Sequence, residues 1–307
     1  MRIVFFGSPD FALPSLDALV SGGHDLALVV SQPARPVGRH ARPEDPPVAE
    51  RAKELGLPTW QPESLKGEEA LARLTAAGAD LFVVVAYGRI LGPRTLTLPR
   101  LGAVNVHGSI LPRWRGASPV QAALLAGDER TGVSLMRMDA GMDTGPVYAT
   151  AETPVSEEED AGALSTRLAA LGAGLLIRSA AGIEEGTLVP VAQPVEGATA
   201  CPKIRREDGR APWGDEAVAI VRRERAFTPW PGLFAFRGRA RVKLSGLRVE
   251  AGTAAPAGTV TAVGARIVVA CGRGSVSIGA LHAEGRRPLS AREFTNGERV
   301  RPGEIWT

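Results

Sequence analysis

The chain has 307 residues, 44% hydrophobic and 22% charged, with 36 Lys and Arg against 33 Asp and Glu and only two cysteines. That length holds two domains with a core each. No run approaches the roughly 20 apolar residues of a membrane span, and residues 1–20 lack a basic start followed by a secretory apolar core, so a cytoplasmic protein is expected. Cys201 and Cys271 lie 70 positions apart without histidines at metal-ligand spacing, which argues against a zinc site or a disulfide framework; no metal is expected.

In chain order, RIVFFG (residues 2–7) reads as a first strand, and SPDFALPSLDALVSGG carries a helix ended by glycines. HDLALVVS is a second strand and PVAERAKELG a helix. DLFVVVAYG, residues 80–88, is almost continuously apolar, the mark of a central strand covered on both faces. Val104 to His107 is its natural neighbour, followed by a helix in SPVQAALLAGD, a strand around Val133 to Met138 and a long amphipathic helix over residues 160–185. This alternation predicts an α/β domain with a Rossmann-like parallel sheet over residues 1–185. GSPDFA lacks the later glycines of a dinucleotide fingerprint and no GxxxxGK[ST] loop occurs, which weakens nicotinamide and ATP readings.

Residues 186–204 have three prolines and no helical period, so residues 186–205 are expected to be a linker. Beyond it, FAFRGRARVKLSGLRVE, AGTVTAV, ARIVVACG and GSVSIGALHAEG are short β-type runs broken by glycines. They predict a small barrel or sandwich over residues 206–307, here expected as an OB-like β-barrel. Charge divides at the same place. Residues 1–205 hold 19 Lys and Arg against 23 Asp and Glu, whereas residues 206–307 hold 17 against 10. A basic C-terminal domain suggests a polyanionic partner, nucleic acid first; solvated arginine-rich faces are the alternative.

The richest stretch is NVHGSILPRWRG, residues 105–116. Side chains alternate along a strand, so Val104 and Val106 face one way while Asn105 and His107 share the other. Gly108 and Pro112 then turn the chain into a loop at the strand's carboxyl end, where sites in open α/β sheets sit. An amide donor beside an imidazole suits acyl transfer, stabilising an oxyanion while a proton moves. A carboxylate should support that imidazole, and Asp143 in the glycine-flanked MDAGMDTGPV follows a strand. Each residue also has a plain reading, as a hydrogen-bonded loop former or a turn cap.

NVHGSILPRWRGASPVQ together with MDAGMDTG resembles the signature of the folate-dependent formyltransferases, Asn-x-His followed by Ser-Leu-Leu-Pro and later an aspartate. FFGSPDFA, QPARPVGR, VVVAYGRIL and RAFTPWPG extend the likeness over essentially the whole chain, to the members acting on methionyl-tRNA. The resemblance implies a catalytic triad of Asn105, His107 and Asp143, 10-formyltetrahydrofolate as consumed co-substrate, and initiator methionyl-tRNA as acceptor, in a monomer. It implies that Ser109, Ile110, Leu111 and Pro112 line the folate pocket, with backbone groups for the pterin edge and apolar walls for its ring. Ile110 stands where the family usually has Leu. Arg113, Trp114 and Arg115 would brace this loop.

The resemblance also assigns the loop after strand two to tRNA, with Arg39 reading the acceptor end, a task suited to a planar fork. Arg42 follows as a phosphate contact, and the loop departs from the family's lysine-rich form at Ala41, Glu44 and Asp45. In the basic domain Arg237, Arg239, Arg241 and Lys243 are the tRNA-binding candidates. On one continuous strand they would make a single cationic stripe; a hairpin turn at Gly238 would divide them between two strands. A sugar-nucleotide formyltransferase is the competing reading, sharing the folate core without needing a basic tail. A binding protein with dead chemistry should lack a triad member, and all three are present.

Overall fold

The computed structural model describes residues 1–37, 42–252 and 254–307. They form two compact units. The first comprises Met1–Pro119, Arg130–Pro154 and Leu164–Pro202, the second Val120–Glu129, Val155–Ala163 and Lys203–Thr307. The division is not a single cut near residue 185, because two excursions from the N-terminal half join the second unit. Most of the expected linker belongs to the first.

The first unit is built on seven strands: β1 (Arg2–Gly7), β2 (Asp25–Val30), β3 (Thr59–Trp60), β4 (Leu81–Val85), β5 (Ala103–His107), β6 (Arg130–Arg137) and β7 (Val147–Pro154). Their order across the sheet is β7-β6-β5-β4-β1-β2-β3. From β3 to β5 every pairing is parallel. At the other side β6 runs antiparallel to β5, and β7 antiparallel to β6. The expected Rossmann-like parallel sheet thus carries two antiparallel strands on one side. An apolar run carries no direction, and only the half-solvated alternation of VYATAETP marks an antiparallel edge.

One sheet face packs Val4, Phe6, Val30, Phe82, Val84, Tyr87 and Leu91 into a core, with the Phe6 ring centroid 5.2 Å from that of Phe82 and 5.5 Å from that of Tyr87. Against the other face lies the helix Ala161–Glu185, whose Gly172 sits directly on Val106 and Val133. Strand alternation therefore buries Val104 and Val106 under that helix and presents Asn105 and His107 on the opposite face.

The second unit holds β8 (Phe234–Arg237), β9 (Ala240–Ser245), β10 (Arg248–Glu250), β11 (Val260–Val263), β12 (Ile267–Ala270), β13 (Ser275–Ile278), β14 (Ala280–Ala283) and β15 (Leu289–Ser290). They form two four-stranded sheets, β8-β9-β14-β15 and β10-β13-β12-β11, with all pairings antiparallel. Val242, Leu244, Val260, Ile267, Val276 and Trp306 share one core. C-terminal residues tie the sheets together, Trp306 bridging to Arg237 and Ile305 to Thr259. No helix among the described residues is long and apolar enough to cross a membrane.

Candidate active site

The site starts at the end of β5. His107 is buried, and its Nε2 lies 2.9 Å from the carbonyl oxygen of Trp114. A carbonyl can only accept, so Nε2 carries a hydrogen and the variable position is Nδ1. Nδ1 faces Asp143, with Oδ2 at 3.7 Å. That is too long for a hydrogen bond but within ion-pair distance of the ring nitrogen. Asn105 completes the group, its Nδ2 donating to Asp143 Oδ1 at 3.4 Å. The three residues named from the sequence thus converge.

Asp143 arrives by an unexpected route. Because β6 runs against β5, its end pairs with the start of β5, Arg137 opposite Val104. Asp143 does follow a strand's carboxyl end, as expected, but that end lies beside the start of β5 rather than beside His107. The loop from Met138 to Pro146 doubles back, closed by the Arg137 N–H donating to the Pro146 carbonyl at 2.8 Å. The turn demands Gly145, where a Cβ would lie 1.8 Å from the Arg137 oxygen. Asp143 itself sits in the left-handed region (φ 55°), which its short polar side chain tolerates. Its Oδ2 accepts the Gly116 N–H at 2.8 Å.

The 109–116 loop is internally committed. Ser109, fully buried, donates from Oγ to the Arg113 carbonyl at 2.6 Å, and its own carbonyl accepts from Ser134 Oγ at 2.8 Å. Ser134 Oγ also accepts the Leu111 N–H at 3.0 Å, while the Ile110 carbonyl accepts the Arg113 N–H at 3.1 Å and the Pro112 carbonyl the Thr199 N–H at 3.3 Å. Those six backbone groups already have partners. What the loop offers a ligand is chiefly the half-buried apolar surface of Ile110 and Pro112. Trp114 adopts φ 60°, a conformation costing a bulky residue about 1–3 kcal/mol that persists only where its surroundings hold it. They do so: its N–H donates to Thr199 Oγ1 at 2.9 Å and the Arg113 guanidinium lies 4.3 Å from its ring centroid.

Sequence reasoning missed the contribution of residues 187–202. Val191 pairs with Val147, and Ala200–Cys201 runs parallel to Arg115–Gly116. That approach is close enough to require glycine at 116, where a Cβ would meet the Cys201 carbonyl at 2.3 Å. Gln193 donates from Nε2 to the Asp143 and Gly145 carbonyls. The Cys201 thiol, given no role by the sequence beyond its unsuitability for a zinc site or disulfide, donates to the Trp114 carbonyl at 3.3 Å; burial, reinforced by Asp143, pushes the thiol's pKa up. A proline-rich stretch has no period, so nothing in it signalled these contacts.

Of the tRNA candidates, Arg39 lies outside the described residues, and Arg42 opens a short strand, Arg42–Glu44, paired with Arg35–Val37. Gly238 (φ 58°) does make a hairpin turn, with Arg239 exposed in it, and the register puts Phe236 opposite Arg241 and Phe234 opposite Lys243. The four charges therefore divide. Arg237 falls on the core-facing side, where Nε and Nη2 donate to Glu304 at 2.8 and 3.0 Å. Arg241 and Lys243 face the other way, the Arg241 guanidinium 3.8 Å from the Phe234 ring centroid and Lys243 exposed.

Residues 1–180 match the formyl transferase family, and residues 203–299 match the formyl transferase C-terminal domain. The methionyl-tRNA formyltransferase of Ruegeria pomeroyi is 44% identical over 99% of both chains. That of Halorhodospira halophila is 47% identical over 99% of this chain and 98% of its own. The chain belongs to the methionyl-tRNA formyltransferase family. It is a transferase enzyme of that type. The N-formyltransferase from Helicobacter canadensis, solved in complex with folinic acid and dTDP-3-aminofucose, shares the fold at a TM-score of 0.65, covering 91% of this chain and 98% of that one at 15% identity. Full-length identity above 40% supports the methionyl-tRNA reading over the sugar-nucleotide alternative.

Proposed function

We propose that the chain transfers the formyl group of 10-formyltetrahydrofolate to the α-amino group of methionyl-initiator tRNA, acting as a cytoplasmic monomer. Residues 1–185 would carry the chemistry, and the basic residues 206–307 would hold the RNA. The observation supporting this most directly is the meeting of Asn105, His107 and Asp143, from two separate segments, within 3.7 Å. Half-buried Ile110 and Pro112 beside the triad strand suit the flat apolar ring of a folate. A protein of the same fold, the N-formyltransferase from Helicobacter canadensis, was solved with folinic acid.

The donor supplies an electrophilic formyl carbon. As the amine attacks it, negative charge develops on the formyl oxygen; Asn105 Nδ2 and a protonated His107 Nδ1 are the donors that receive it. The Trp114 carbonyl keeps His107 Nε2–H occupied, so the proton that matters sits on Nδ1, beside Asp143. Asp143 stabilises the imidazolium and takes the amine proton, directly or through water. That proton ends on the departing nitrogen of the donor, so the site relays it without net change. Arg241 and Lys243 supply phosphate contacts, and Arg39, Arg42 and Arg239 are proposed beside them.

The test is incubation of the purified protein with the formyl-folate and either methionyl-initiator tRNA or an amino-sugar nucleotide. Formylation of the tRNA alone is expected. Formylation of the amino sugar alone would overturn the reading.

A further inference from the structure

Of residues 191–200, only Gln193 and Thr199 are withdrawn from solvent. Gln193 makes four hydrogen bonds. Its Nε2 donates to the Asp143 carbonyl at 2.9 Å and to the Gly145 carbonyl at 2.7 Å, while its Oε1 accepts the Arg115 fork, Nε at 3.0 Å and Nη2 at 2.7 Å. A primary amide is suited to this position, because two N–H groups reach two carbonyls while one oxygen receives a guanidinium. A carboxylate could take the guanidinium but not serve the carbonyls.

We infer that Gln193 is a positioning residue for formyl transfer, holding the Asp143 loop at its working distance from His107 and tying it to the 109–116 loop through Arg115. The inference rests on the proposed role of Asp143. That residue is gripped at both ends: Gly116 N–H holds carboxylate Oδ2, and Gln193 holds the main-chain carbonyl. The two grips are linked, since Gln193 also accepts from Arg115, the residue next to Gly116, and Arg115 and Gly116 both pair with Ala200–Cys201. The left-handed backbone at Asp143 is held in place by these bonds. The same proline-rich stretch also serves His107. Thr199 accepts the Trp114 N–H and donates its own to Pro112, and the Cys201 thiol shares the Trp114 carbonyl with the imidazole. Both partners of the 3.7 Å His107–Asp143 contact are thus set from residues 193–201. Catalytic contacts tolerate little displacement, and about 1 Å can cost a hundredfold in rate.

Full-length wild-type, Gln193→Ala and Gln193→Glu proteins are assayed with the formyl-folate and methionyl-initiator tRNA, and amide hydrogen exchange of residues 138–146 is followed in the substrate-free proteins. In Gln193→Ala, kcat should fall about tenfold to a hundredfold with both KM values within about twofold of wild type, as lost geometry predicts. Exchange over 138–146 should quicken while that of residues 234–283 is unchanged. Gln193→Glu keeps an acceptor for Arg115 but sets carboxylate oxygens against two carbonyls. Its kcat should fall at least as far at neutral pH, and its ratio to wild type should recover as pH drops and a protonated acid regains one donor. Wild-type kcat in both variants, or a loss spread equally over KM values and exchange throughout the chain, would overturn the positioning role. An inactive wild-type protein would instead overturn the proposed function, leaving exchange over 138–146 to decide whether Gln193 clamps the loop.

Discussion

The end of β5 and the β8–β9 hairpin obey one rule with opposite results. Along β5 the period of two sets Asn105 and His107 on one face, and the neighbouring segments converge on them. Across the hairpin the same period, interrupted by a two-residue turn, parts Arg237 from Arg241 and Lys243. The first region is pinned: His107, Asp143, Trp114 and Gln193 are all held by hydrogen bonds at stated partners. In the second, Lys243 is exposed, and the guanidinium of Arg241 lies on an aromatic ring. Bond-making needs groups fixed to fractions of an ångström, whereas attraction of a polyanion needs mainly sign and proximity. The two regions should therefore answer mutation differently.

The largest expected effect lies in the pinned region. His107→Ala or Asn105→Ala should lower kcat by roughly a hundredfold or more, the cost of losing one donor to a developing oxyanion, while donor binding changes little. Steady-state formylation together with donor-binding titration checks this. Turnover near wild type in either variant would erase the contrast between the regions. Asp143→Asn comes next, with a loss of about tenfold to a hundredfold. The amide oxygen can still accept the Gly116 N–H, so the loop should keep its place while the negative charge beside Nδ1 disappears. A pH–rate profile unchanged from wild type would detach Asp143 from the imidazole.

How far the sequence could be read follows the same contrast. Alternation and apolar runs are local, so β1, β2, β4, β5 and the short C-terminal strands stood out, as did Asn105 and His107 as neighbours. Direction is not local. RTGVSLMR reads alike in a parallel or an antiparallel sheet, and its reversal is why the path to Asp143 escaped notice. Gln193, Thr199 and Cys201 were hidden for another reason: their stretch bonds through single side chains and short bridges, which leave no periodic trace. Arg237 seemed equivalent to Arg241 because spacing counts charges without showing their partners.

That last point gives an effect of intermediate size. Arg237 and Glu304 are each about a quarter exposed, and the Arg237 Nη2 also donates to the Glu298 carbonyl at 2.9 Å. Arg237→Ala should cost about 1–2 kcal/mol of stability, as expected for losing charge-assisted hydrogen bonds that are partly buried. Hydrogen bonding from Arg237 holds the Glu304 carboxyl below its usual range. A depressed carboxylate stabilises the fold above its unfolded pKa, about 4.3, and loses that contribution as pH falls through the folded value. The gap in Tm between wild type and variant should accordingly be full at pH 7 and shrink below about pH 4. A constant gap would mean that packing of the arginine stem, not the ion pair, is what Arg237 contributes.

The smallest effect belongs to Lys243, and it isolates charge from structure. Arg241→Ala would remove a guanidinium from Phe234 and disturb packing as well as charge, so it cannot separate the two. Lys243 is exposed, its stem passing beside Gly232, and its loss leaves the Phe234 to Lys243 backbone pairing intact. If it contacts a phosphate, Lys243→Ala should weaken tRNA binding severalfold and reduce the slope of log K against log salt by about 1. Initiator and elongator methionyl-tRNA should suffer alike, because a point charge on a flexible stem reads no base edge. Affinities for both tRNAs at four or five salt concentrations measure this. A reduced affinity with an unaltered slope would show that Lys243 supports the hairpin rather than the RNA. A loss confined to the initiator tRNA would mean that the basic face, like the triad, is a site of fixed geometry.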